Sequence, residues 1–123
     1  MKDVKLWIMR SEMDLRSAQV LLKEGLFADS AFHSQQAAEK ALKAVYLKKF
    51  RKPFLGHSIV FMVKELKADK KIIDAAKELS LHYVAARYPD FDEDFFSIYD
   101  EDTAKRLLNL ARVVVRWAKK ELK

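Results

Sequence analysis

Three features of this 123-residue sequence predict an all-α fold, an up-and-down bundle of four main helices plus a shorter one. Apolar residues recur at helical spacing through most of the chain. Only two Gly and two Pro are present, which leaves little material for hairpins or long loops. Half the residues are hydrophobic and 34% are charged, the profile of a chain that folds around one core. The length suits a single domain over 1–123 and is too short for two ordinary ones.

Each element has its own signal. Val4, Ile8, Ser11, Leu15, Ala18 and Leu22 share one face of a first helix over 3–24, and Gly25 can end it in a left-handed conformation. A second helix is expected over 29–50, with Asp29 as N-cap and with Pro53 and Gly56 of "RKPFLG" ending it. These two should form an antiparallel hairpin. Ser58 can cap a short third helix with Ile59, Met62, Val63 and Leu66 inward. Asp69 can cap a fourth, whose inward positions are Ile73, Ala76, Leu79, Tyr83 and Ala86. The series Leu107, Leu108, Ala111, Val115, Ala118 and Leu122 marks a long last helix.

Composition excludes several chemistries. Without cysteine there are no disulfides, no thiolate catalysis and no Cys-based zinc sites. The stretch "MKDVKLWIMRSEMDL" lacks the uncharged apolar run of a signal peptide, and no apolar stretch approaches the roughly 20 residues of a membrane span. A cytoplasmic location without membrane contact is therefore expected. The net charge of +6 is unevenly spread, because Asp90, Asp92, Glu93, Asp94, Asp100, Glu101 and Asp102 crowd into one stretch. "KKFRK" (48–52) and Arg106, Arg112, Arg116, Lys119, Lys120 and Lys123 can attract an anionic partner such as nucleotide or RNA, or simply solvate helix faces and ends.

The second helix holds the densest polar pattern, "AFHSQQAAEKALKA" (31–44). At 100° per residue Phe32, Gln35, Gln36, Glu39, Lys43 and Tyr46 fall in one stripe, and Ser34, Ala38, Ala41 and Val45 form a separate face of small residues. The small face suits close approach of another helix. An exposed Glu39/Lys43 pair contributes only about 0.2–0.5 kcal/mol, so it does not account for the stripe. A half-buried row of this kind needs partners, since an unpaired buried polar group costs about 1–3 kcal/mol. A neighbouring helix, a second subunit or a ligand could supply them.

The run "FHSQQAAEKALKAVYL" (32–47), followed by "GHS" (56–58) and "ARYPD" (86–90), resembles the HEPN domain, a helical family named for higher eukaryotes and prokaryotes nucleotide binding. The opening "WIMRSEMDLRSAQVLLKEGLFADSAF" (7–32) fits the same family, so the resemblance spans nearly the whole chain. It implies a helical bundle that forms homodimers and works beside a separate minimal nucleotidyltransferase, with nucleotide or RNA as ligand and no cofactor. The expected ligand or interface residues are Gln35, Gln36, Glu39, Lys43, His57, Arg87 and Tyr88.

The resemblance also raises a metal-independent ribonuclease of toxin–antitoxin modules, in which an Arg-x(4–6)-His motif from each subunit shares a cleft. Histidine can move a proton near neutral pH, and arginine can hold the scissile phosphate. In the usual place, "RYPDFDEDFF", Arg87 is present, but positions 92–94 are Asp92, Glu93 and Asp94. Arg51 and His57 satisfy the spacing in "RKPFLGH", between the second and third helices. No catalytic residue is assigned on that spacing alone, and Arg51 with His57 remains the alternative pair. A purely structural dimerisation module is the third reading.

The acidic stretch lacks the central Gly of a calcium loop, so no metal site is assigned to it. Tyr88, Phe91, Phe95, Phe96 and Tyr99 crowd the same region and suit a lid over the bundle or a subunit interface. Arg87 is its best phosphate candidate. His33 and His82 lack partners at metal-ligand spacing and are expected to be ordinary helix residues.

Overall fold

The computed structural model describes residues 2–82 and 99–123. Among these residues are helices α1 (Lys2–Lys23), α2 (Phe27–Phe50), α3 (Ile59–Glu65), α4 (Lys70–Ser80) and α5 (Glu101–Glu121), and no strand. The fold is an all-helical bundle, as the periodicity predicts. Tyr83 and Ala86, expected to continue the α4 face, lie outside the described residues.

α1 and α2 form the expected antiparallel hairpin and share the largest helix–helix contact, followed by α2 with α5. Gly25 adopts φ 80°, and the amides of Gly25 and Leu26 donate back to Leu22 O (3.1 Å) and Leu21 O (2.9 Å). That paired closure needs a left-handed residue, which glycine supplies without a Cβ penalty. The reversal is tight enough for α2 to begin at Phe27, before the expected cap at Asp29. Leu26 is the N-cap and contributes no side-chain bond, while its carbonyl accepts from Ser30 N at 2.9 Å. Asp29 lies instead in the first turn, where its charge favours the positive end of the helix.

More than half of α2 is buried: 13 of its 24 residues, including Ala31, Ala37, Ala38, Ala41 and Ala44, each fully enclosed. Small side chains allow α1 to approach closely. Ser11 Oγ of α1 donates to Ala37 O of α2, and Ser30 Oγ of α2 donates to Ala18 O of α1, both at 2.7 Å. Two hydroxyls reaching across to backbone carbonyls fix the register of the hairpin. Ser34 is buried in the same helix, and its hydroxyl has no partner among the described residues.

The remaining helices cover the other sides of α2. Ser58 and Asp69 cap α3 and α4 as expected, accepting from Phe61 N and Ile72 N at 3.1 Å each. Asp100 caps α5 by accepting from Thr103 N at 2.8 Å. On α3 the predicted inward residues Ile59, Met62 and Val63 are buried, with Leu66 just beyond its end. On α4 the buried side is Ile72, Ala75, Ala76 and Leu79, whereas Ile73 packs only partly against the core. The face is rotated because α4 packs against α3, α5 and, more lightly, α2. Leu107, Leu108, Ala111, Val115 and Ala118 of α5 are buried as the spacing predicts.

Candidate functional site

The polar stripe of α2 assembles around one carboxylate. Glu39 is 4% exposed, and Gln35 is 1% exposed one turn before it. Gln35 Nε2 donates to Glu39 Oε1 at 3.4 Å, and Gln36 Nε2 donates to Gln35 Oε1 at 2.8 Å. On the other oxygen, Lys43 Nζ lies 3.2 Å from Glu39 Oε2 and His57 Nδ1 lies 3.1 Å from it. Because an ionised carboxylate only accepts, these contacts place a proton on His57 Nδ1. A buried carboxylate is tolerated when it is paired and its lone pairs are filled, and here Gln35, Lys43 and His57 contact it directly, with Gln36 behind Gln35.

The geometry depends on the chain between α2 and α3. Tyr46, Phe50, Phe54 and Phe61 pack ring against ring, at centroid separations of 4.6 Å (Tyr46–Phe50), 5.1 Å (Tyr46–Phe54) and 5.8 Å (Phe54–Phe61). Gly56 at φ 156° runs beneath the Phe54 ring, where a Cβ would meet Cε2 at 3.2 Å. That close passage brings the following His57 onto Glu39. The His57 side chain remains 61% exposed, so the network runs from the core to the surface.

Lys43 has a second contact, its Nζ lying 5.4 Å from the centroid of the Trp7 ring of α1. Trp7 in turn borders a cleft of about 360 Å³ lined also by Asp3, Leu6, Arg10, Leu47 and Pro53. An aromatic face and a guanidinium thus line one open cleft, and the carboxylate network is linked to it through the Lys43–Trp7 contact.

The structure brings together Gln35, Gln36, Glu39, Lys43 and His57. Arg87 and Tyr88 lie outside the described residues, as do Asp90, Asp92, Glu93 and Asp94. Among the described residues no group of acidic and imidazole side chains has the arrangement of a metal site. Arg51 is the C-cap of α2 in a left-handed conformation (φ 58°), about 18 Å along the helix axis from Glu39 by the 1.5 Å rise per residue. It lines a different cleft, with Val4, Lys5, Ile8, Lys48 and Leu122. The structure does not bring Arg51 into the network that holds His57.

A second polar cluster lies outside the residues that the sequence singles out. Asp14 of α1, its side chain 11% exposed, accepts from Lys40 Nζ at 2.5 Å and from His33 Nδ1 at 2.9 Å. It joins the two helices beside the serine hydroxyls. Its sequence signal is a carboxylate amid the inward positions Ser11, Leu15 and Ala18. His82 and Tyr99 form a third pair, Nδ1 to Oη at 2.9 Å, both buried. Burial pushes the Tyr99 phenol up to about 12 and, as the largest cause, lowers the His82 imidazole. Neighbouring Glu78 opposes the shift at His82 and Arg106 reinforces it, the two being paired at 3.0 Å.

Among the described residues no helix is long and apolar enough to cross a membrane. Over 99 residues the chain is 36% identical to "Putative toxin MJ1304" of Methanocaldococcus jannaschii, an alignment covering 72% of this chain and 65% of that protein. The chain therefore spans less than two thirds of that relative's length. The crystal structure of TT1696 from Thermus thermophilus superposes with a TM-score of 0.89 at 29% identity, covering 98% of this chain and 99% of that one. That of ST0689, described as an archaeal HEPN homologue, gives 0.86 at 31% identity with both chains fully covered. The HEPN domain model matches residues 4–122, taking in every helix of the bundle. With the α2 polar row and the helix order both in place, the chain belongs to the HEPN domain family.

Proposed function

We propose that this chain is the HEPN component of a toxin–antitoxin pair, acting as a homodimer with a separate minimal nucleotidyltransferase in the cytoplasm. The observation that carries the toxin role is its 36% identity to the protein named as a toxin. The α2 network supports a place for the ligand, a nucleotide or a segment of RNA. Trp7 offers a ring face for a base and Arg10 a guanidinium for phosphate in one cleft, and Lys43 links that cleft to the Glu39 network.

Controlled expression in a heterologous host, alone and together with a minimal nucleotidyltransferase encoded beside it, tests the pairing. Growth arrest by the chain alone, relief on co-expression, and co-purification of protein partner or nucleotide are expected. Unimpaired growth together with a native preparation free of bound protein, nucleotide and RNA would overturn the reading. Light scattering at micromolar concentration checks the dimer, and a strict monomer removes that part.

A further inference from the structure

The C-terminal half of α5 carries a row of cations that neither the α2 network nor the helix itself explains. Arg112, Arg116, Lys119, Lys120 and Lys123 line one groove of about 350 Å³ against α1, with Leu15 and Val115 as its apolar floor. Residues 112, 116 and 119 follow helical i, i+4, i+3 spacing as a stripe over about 10 Å of α5, and Lys123 lies just beyond its end. Cations in the last turn of a helix are accounted for by its dipole. That covers Lys119 and Lys120 and leaves Arg116, about one turn earlier, and Arg112, about two turns earlier, without such a reason.

Among the described residues, opposing charge is sparse along this stripe. Glu12 of α1 pairs with Lys119 at 2.7 Å, and Arg112 donates to Asn109 Oδ1 at 3.2 Å. Glu121 is the one carboxylate of α5 within this stretch. Around the end of the helix the positive surface continues: Leu122 borders the neighbouring cleft, whose rim holds Lys5, Lys48 and Arg51. A groove with cations at regular intervals and an apolar floor suits an extended polyanion with flat apolar groups. Guanidinium forks favour phosphate oxygens, and Leu15 and Val115 offer a surface for bases or sugars.

We propose that the α1–α5 groove binds the phosphodiester backbone of a single nucleic-acid strand, with Arg112, Arg116, Lys120 and Lys123 as the phosphate contacts. The site shares no residue with the α2 network and does not depend on the toxin reading.

The test is fluorescence anisotropy of a labelled 12-nucleotide oligouridylate titrated with the full chain at several salt concentrations. Four phosphate contacts give a slope of log K against log salt of about −2.8, or roughly a fifty-fold loss of affinity between 50 and 200 mM salt. The Arg112→Gln/Arg116→Gln double variant is expected to flatten that slope by about 1.4, one contact being worth about 0.7. Lys70→Gln/Lys71→Gln, at the start of α4, should leave it unchanged. Circular dichroism confirms that each variant is folded. A slope shallower than about −1, an unchanged slope in the arginine double variant, or equal binding of a 12-residue oligoglutamate would each overturn the proposal.

Discussion

Replacing Glu39 by Gln keeps the shape of the side chain and removes the charge at the centre of the α2 network. Lys43, its side chain 12% exposed, then faces a neutral amide. Breaking a buried ion pair on one side costs about 3–5 kcal/mol, because the remaining charge is buried without its partner. The Lys43 stem lets its ammonium move toward water, which places the expected loss near the lower end, about 3 kcal/mol. Lys43→Met is milder, since Gln35 and His57 still satisfy the carboxylate, and should cost about 1–2 kcal/mol. In the double variant no ammonium is stranded, so the two effects should fall short of additivity by about 1–3 kcal/mol. Urea unfolding followed by circular dichroism measures all three, with a constant m-value as the check that only stability has changed. In a thermal scan the Glu39→Gln loss corresponds to about 10 °C in Tm. A loss below about 1 kcal/mol, or additivity within about 0.5 kcal/mol, would refute the view that a buried charge organises this site.

Two further outcomes rest on other buried groups. Ser34→Ala removes a hydroxyl that is buried without a partner among the described residues, and should raise stability by up to about 1 kcal/mol in the same urea assay; a loss of that size would give the hydroxyl a structural role. Stability should fall at both ends of the pH scale. The folded state resists protonating His82, so stability is lost as pH drops below the unfolded value near 6.5 and through the lowered folded one. It also resists ionising Tyr99, so stability is lost as pH rises from 10 toward 12. Tm recorded against pH checks both limbs, and His82→Gln should flatten only the acidic one.

Most of the helices were legible because their signals are local. Ser58 and Asp69 cap with their own side chains, and Gly25 is a left-handed stop where one was needed. The start of α2 was misplaced because a tight reversal, rather than a capping side chain, sets it, and spacing alone does not register a reversal. The inward face of α4 depends on three neighbouring helices, so its rotation from Ile73 to Ile72 and Ala75 is a tertiary effect. For the site, the wheel grouped Gln35, Gln36, Glu39 and Lys43 because they share a helix. His57 joined them through the turn at Gly56, and Trp7 through the α1–α2 packing. The bonds of His33 to Asp14 and of His82 to Tyr99 connect separate elements, and no spacing rule reaches across such distances.

The reciprocal serine bonds between α1 and α2 also bear on the order in which the protein assembles. Ser30 and Ala18 are 12 residues apart, and Ser11 and Ala37 are 26 apart, so both bonds close short stretches of chain. Docking α5 on α2 closes a much longer one, and each doubling of the loop adds about 0.6 kcal/mol of entropy. Closing the hairpin therefore costs less chain entropy than docking α5 on α2. Once formed, the hairpin presents the outer side of α2 as a template on which the later helices condense. Loop-closure entropy thus favours early placement of the helix that carries the polar network, together with the α1 wall of the cleft beside Trp7.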